Sequence, residues 1–150
     1  MDMIDTPVAK AEILIRKPID QVFKAFTDPD QITQFWFDKS TGPLVDGAAV
    51  EWTWSELDMT IPVTVKKFVN NEKIIMNWGA DEHLSELVWT FTDRAGEGTY
   101  VSLVNLGFFG TNEETIVKAL DSTGGFNLVI AAAKAYLEHG IRLNIVADKL

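Results

Sequence analysis

Between residues 41 and 105 the apolar side chains fall on alternate positions, and four of the five tryptophans sit in that pattern. Val50, Trp52 and Trp54 alternate with Glu51, Thr53 and Ser55, and Met59, Ile61, Val63 and Val65 repeat the alternation. Ile74, Met76 and Trp78 form a third stripe, Leu87, Trp89 and Phe91 a fourth, and Val101 and Leu103 a fifth. A period of two puts each stripe on one face of a strand. Thr53, Ser55, Asn77, Thr90, Thr92 and Ser102 occupy the opposite face. Such one-sidedness specifies an antiparallel sheet, solvated outside and covered inside. Pro43 and Gly47, Asn70-Asn71 and Gly96-Glu97-Gly98 supply turns. Pro62 has no N–H to give a ladder, so pairing is expected to break or bulge there.

The cover has to come from the flanking segments, where the period lengthens. Residues 8–16 still alternate, with Ala11, Ile13 and Ile15 on one side, and predict a first strand. Pro18 suits the first turn of a helix whose apolar stripe is Val22, Phe23 and Phe26. Asp28-Pro29 reads as an N-cap followed by proline at the first helical position, starting a short helix that turns Ile32, Phe35 and Trp36 inward. Beyond the sheet, Thr111 and Glu114 have capping-box spacing ahead of Ile116, Val117 and Leu120. Asp121 or Ser122 then opens a longer helix carrying Phe126, Val129, Ile130, Ala133 and Leu137, with Lys134 and Glu138 on the opposite side. Gly140 fits the position just past its end. Ile141, Leu143 and Ile145 alternate, so the tail is expected to dock as an extended segment. The order predicts an α+β fold: a curved antiparallel sheet wrapped around a long C-terminal helix, with two short helices after the first strand.

Composition narrows the function. A chain of 150 residues, 47% apolar and 23% charged, is expected to form a single domain over residues 1–150 with its own core. The absence of cysteine excludes disulfides, zinc–thiolate centres and thiol nucleophiles, and fits a reducing compartment. Thirteen basic and 22 acidic residues give a net charge of −9, against the concentrated basic face that binding nucleic acid requires. Met1-Asp2-Met3-Ile4-Asp5 has neither the basic start nor the apolar run of a leader. The longest uninterrupted apolar run, residues 128–133, is too short to span a bilayer. The expectation is a cytoplasmic protein with no stable membrane insertion.

The run Pro18-Ile19-Asp20-Gln21-Val22-Phe23-Lys24-Ala25-Phe26-Thr27-Asp28-Pro29, followed by Phe35-Trp36, resembles the opening of the START-like (SRPBCC) superfamily. It is most similar to the branch of heat-shock-90 ATPase activator-like proteins. Residues 47–54, the strand pair ending at Gly107-Phe108, and Gly124-Gly125-Phe126 through Tyr136-Leu137-Glu138-His139-Gly140 match later landmarks in order, over nearly the whole chain. The resemblance implies a helix-grip fold with a deep cavity between sheet and long helix. It also implies lipids, sterols, polyketides or plant-type aromatics as ligands, with cyclase or dehydratase activity in some members. Phe126 stands where members commonly carry tryptophan, which keeps an aromatic anchor and changes the pocket's shape. Eukaryotic activators have an additional N-terminal domain, for which this chain is expected to leave no room.

Twelve residues are candidates to line such a cavity: Trp36, Trp52, Trp54, Met76, Trp78, Trp89, Phe91, Leu103, Asn105, Phe126, Ile130 and Ala133. The aromatic members either form a ligand wall or interlock as a filled core. Asn105, on the inward register of Val101 and Leu103, either orients a ligand carbonyl or hydroxyl, or bonds to backbone or water. Tyr136 belongs at the core's edge. His83, in Asp81-Glu82-His83, lacks the converging ligands that a transition metal needs, and His139 complements the negative end of the long helix. No nucleophile elbow, P-loop or dinucleotide fingerprint occurs. Glu51 lies on the polar register, whereas Glu56 shares that of Trp54 and is placed at a pocket mouth. No catalytic residue, metal or cofactor is assigned. The expectation is noncatalytic binding of a hydrophobic or aromatic small molecule; the alternatives are a chaperone cofactor or other protein-interaction module, and a cyclase- or dehydratase-type enzyme.

Overall fold

The stripes assemble into one seven-stranded antiparallel sheet in the computed structural model, which describes residues 6–149. Its strands are β1 (Ala9–Ile15), β2 (Lys39–Ser40), β3 (Ala49–Trp54), β4 (Met59–Val69), β5 (Lys73–Trp78), β6 (Ser85–Arg94) and β7 (Gly98–Leu106). They lie in the order β1-β7-β6-β5-β4-β3-β2, so β2 to β7 form a meander and β1 closes onto β7. Alternation settles the faces: Leu87, Trp89 and Phe91 on β6 and Val101 and Leu103 on β7 are all buried. The same inward register ends in two polar residues, Ser85 at the start of β6 and Asn105 near the end of β7.

Pro62 does not interrupt the sheet. It faces Glu51 in the β3–β4 pair, and one residue past the last β4–β5 partners, Val63 and Trp78, its carbonyl accepts from the Gly79 N–H at 3.0 Å, so the missing N–H coincides with the end of that ladder. The irregularity falls instead between Val65 and Lys67.

Helix α1 (Ile19–Thr27) starts directly after Pro18 and buries Val22, Phe23 and Phe26. Helix α2 (Pro29–Ile32) begins as the Asp28-Pro29 pair predicts, the Asp28 carboxylate accepting from the Asp30 N–H. With the segment that follows α2 they drive an aromatic plug into the sheet. Phe23 meets Phe91 edge-on at 5.0 Å, Phe26 lies 4.9 Å from Trp89, and Phe37 stacks on Trp52 at 4.3 Å.

Helix α3 (Asn112–His139) differs from the two-helix expectation in being continuous through residues 121 and 122. The capping box of Thr111 and Glu114 opens it, and Gly140 closes it in the left-handed conformation. Ser122 does not cap a second helix because its hydroxyl donates to Asn105. Burial of Phe126, Val129, Ile130, Ala132 and Ala133 outweighs the helix-breaking tendency of Gly124 and Gly125. At 28 residues, with an 18-residue stretch of mean hydropathy 1.2, α3 is long and apolar enough to cross a membrane by length and composition. An uninterrupted-run criterion overlooks it, because charges punctuate the apolar positions. Here that face lies against the sheet.

The polar side of α3 is not simply solvated either. β1 is an edge strand, and edges present unpaired backbone groups. Asn127 donates to the Lys10 carbonyl, Lys134 donates to the Leu14 carbonyl, and Glu138 accepts from the Arg16 N–H at 2.7 Å. Lys134 and Glu138 also pair with each other at 2.7 Å. Burial opposes the charge on Glu138, yet the Arg16 N–H and Lys134 hold its pKa below the usual carboxylate range. The long helix is thus stitched along the sheet's open edge.

The tail corrects another expectation. Residues 145–149 form a short helix, α4 (Ile145–Lys149), whose Ile145 and Val146 pack against the core. Residues 1–5, where a leader was sought, and Leu150 lie outside the described residues.

Candidate functional site

Close stitching of α3 to β1 leaves the far half of the sheet less tightly covered, and there a cavity of about 820 Å³ opens between sheet and helix. Trp54, Trp78 and Trp36 wall it from the sheet and the α2 segment, and Phe126 and Val129 from α3. Phe126 sits 5.3 Å from Trp78 and 5.6 Å from Trp36, so the substituted aromatic forms the inner corner where core gives way to cavity. The mouth is apolar too, with Leu57, Met59, Leu84 and Phe109, and α4 contributes Ile145 and Val146. Lys118 ties the rim together, donating to the Glu82 carbonyl at 2.9 Å and to the Phe109 carbonyl at 2.7 Å.

Of the twelve candidate residues, Trp36, Trp54, Trp78, Asn105 and Phe126 line this cavity. The other seven do not. Trp52, Met76, Trp89, Phe91, Leu103, Ile130 and Ala133 are almost fully buried within the packed core. They lie on the correct face of sheet or helix, but at positions where Phe26, Phe37 or the helix itself already fills the space. Tyr136 is half-buried, 6.0 Å from Phe35, at the core's edge. Glu56 is exposed in a 3-10 turn, Ser55–Leu57, and is not part of the lining.

Sequence reasoning missed Ser85 and Ser122. Both line the cavity, and together with Trp78 and Asn105 they form its only described network of inward polar side chains. Asn105 is 1% exposed, and both its amide protons and its carbonyl oxygen are engaged. Nδ2 donates to the Glu86 carbonyl and to Ser85 Oγ, both at 2.9 Å, and Oδ1 accepts from the Ser122 hydroxyl at 2.7 Å. The Trp78 indole donates to the same Ser85 oxygen at 3.1 Å. Register brings them together: Trp78 faces Ser85 across β5 and β6, and Asn105 faces the neighbouring Leu87 across β6 and β7. The signal available in sequence was that both inward stripes end in a small or amide polar residue.

Titratable side chains reach the cavity only at its rim, where Asp81, Glu82, His83, Asp121 and Lys149 are exposed and Lys118 is half-buried. Among the described residues, no group of three or more His, Asp or Glu side chains converges as metal ligands do.

An antiparallel sheet gripping a long C-terminal helix over such a cavity defines the helix-grip proteins of the START-like superfamily. The chain belongs to the family described as Activator of Hsp90 ATPase homolog 1-like protein, whose profile matches residues 16–138. No curated protein matches it. Solved structures share the fold at low identity. Protein SSP2350 from Staphylococcus saprophyticus has a TM-score of 0.79 at 24% identity, over 91% of this chain and 96% of that one. The Aha1 dimer from Colwellia psychrerythraea has 0.74 at 14%, over 89% and 97%. DynU16, a protein in the dynemicin biosynthetic locus, has 0.78 at 20%, over 89% of this chain and 48% of its own.

Proposed function

We propose that this protein binds a hydrophobic or aromatic small molecule in the cavity beneath α3, as a receptor or carrier without catalysis. The observation that carries this reading is the cavity itself: about 820 Å³, walled by three indoles and Phe126. That volume falls in the range of small-molecule sites, which are mostly apolar with a few convergent polar groups. Its inward polar groups are neutral, which supports holding a ligand more than general acid–base chemistry.

The test is a thermal-shift screen with long-chain fatty acids, sterols and polycyclic aromatic ketones. A ligand at 100 times its Kd stabilises the native state by roughly 2.7 kcal/mol, about 5–10 °C in Tm for a chain of this size. Gly125 lines the cavity, and a Cβ built there meets nothing within 4 Å. Gly125→Leu therefore projects a bulky side chain into the site with no clash at Cβ, and should reduce the shift. No stabilisation by any of the three classes, or an equal shift in Gly125→Leu, refutes the reading.

The family membership supports a second reading, a chaperone cofactor. Val117, Leu120 and Phe109 are exposed at 65%, 70% and 62%, an uncommon concentration of apolar surface near one helix end. It predicts that the purified protein changes the ATPase rate of an Hsp90-type chaperone, and that Leu120→Asp removes the effect; an unchanged rate would dispose of it.

A further inference from the structure

The cavity's polar cluster has only one way to arrange its protons, and that arrangement constrains the ligand. The Glu86 carbonyl can only accept, so the Asn105 amide must turn Nδ2 toward it and Oδ1 toward Ser122. Ser122 is then obliged to donate. The second Nδ2 proton and the Trp78 indole N–H both point at Ser85 Oγ, and neither group can accept. Both lone pairs of that oxygen are taken, leaving Ser85 only its own proton to offer. The serine is 7% exposed, and it borders the cavity. A buried hydroxyl donor is unfavourable unless it meets an acceptor.

We propose that Ser85 is the specificity-determining contact of the cavity, a committed hydrogen-bond donor that selects ligands presenting a neutral acceptor, an aryl or alkyl ketone above all. Asn105 is a positioning residue: it fixes the direction of the Ser85 proton and does not itself meet the ligand. The acceptor is neutral because every member of the cluster is neutral; a carboxylate there would lose its hydration without gaining a cation. The indoles of Trp54 and Trp78 supply faces for the ligand's rings.

This inference rests on the small-molecule reading, and a matched pair of probes separates the two. Fluorenone and fluorene share a planar tricyclic frame and differ at one carbonyl. Calorimetric titration of the wild-type protein should show fluorenone binding roughly three- to tenfold more tightly, the value of one hydrogen bond. Equal affinity, or a preference for fluorene, overturns the role of Ser85 while leaving the receptor reading in place. Binding of neither compound up to its solubility limit overturns the selection of a ketone by Ser85, and the receptor reading falls with it only if the thermal-shift screen of all three ligand classes is also silent. Ser85→Ala should bring the affinity ratio to about one, and Ser85→Thr, which keeps the hydroxyl, should restore it. A Ser85→Ala protein that still prefers the ketone would refute the assignment. Because that variant also strips Trp78 and Asn105 of an acceptor and loses stability, the wild-type comparison decides the matter independently.

Discussion

Replacing Asn105 by alanine tests the polar cluster as a structural unit. The substitution removes three hydrogen bonds from a residue that is 1% exposed. At a net of about 0.5–1.5 kcal/mol each, the expected loss is roughly 3 kcal/mol, or about 6–12 °C in Tm for a chain of this length. Ser122→Ala removes only the bond to Oδ1 and should lose about 1 kcal/mol. Since the two variants delete that bond in common, the double variant should be barely less stable than Asn105→Ala. The coupling is about 1 kcal/mol, well above the deviation of roughly 0.3–0.5 kcal/mol seen for independent sites. Urea unfolding followed by far-UV circular dichroism measures all four corners of the cycle. Asn105→Asp adds a check on orientation. At neutral pH it sets a carboxylate oxygen against the Glu86 carbonyl, so it should fall below Asn105→Ala and recover as acid supplies a proton to donate. An Asn105→Ala loss under 1 kcal/mol, or strict additivity with Ser122→Ala, would refute the network.

Two further outcomes follow from other parts of the fold. Gly124 sits inside α3 with no atom within 4 Å of an added Cβ; Gly124→Ala should therefore raise stability by about 0.5–1 kcal/mol, and an unchanged or lowered Tm would sink the argument. The Asp38 carboxylate accepts from the Ser55 hydroxyl and from the Ser55 N–H at 2.7 Å, and these bonds hold its pKa below the ordinary value. A depressed carboxylate pKa stabilises the folded state above roughly 3.9, the unfolded value, and the benefit fades as pH falls through the lower folded value. Melts of wild type and Asp38→Asn should accordingly diverge at pH 7, and the gap should close as the pH falls below the unfolded value and through the lower folded one; a gap that stays constant on acidification would be the contrary result.

What the sequence disclosed, and what it withheld, divides along physical lines. Period and turn chemistry are local, so six of the seven strands and the capped starts of α2 and α3 were legible from residues such as Trp52, Asp28-Pro29 and Thr111, whereas β2, two residues long, has no period to read. Facing direction was legible as well, since alternation puts Trp52 and Trp54 on one side. What alternation does not carry is how much of that side the helices cover. Trp52 is stacked against Phe37 and belongs to the core, whereas Trp54, two residues on, borders open space. The difference arises from residue 37, on a different strand connection, whose ring covers Trp52. The break expected at Asp121 and Ser122 failed for a related reason. Serine is a good cap when its hydroxyl has no better partner, and the partner that kept α3 whole, Asn105, lies 17 residues away.

Asn105 also shows how one contact serves two ends. An amide buried at the end of a strand, with all its hydrogen bonds made inside the protein, is the outcome expected of a structural residue. Yet the hydroxyl it directs lines the cavity. Had the inward stripes of β6 and β7 continued apolar to their ends, the same volume would have been uniformly greasy and nearly indifferent to its occupant. A polar terminus at Ser85 and Asn105, tied to α3 through Ser122, gives the cavity a direction and couples that direction to the helix that roofs it. Stability of the cluster and selectivity for a ketone should consequently fall together in Asn105→Ala. Loss of selectivity with full retention of affinity for fluorene would locate the effect in proton direction and not in the shape of the cavity.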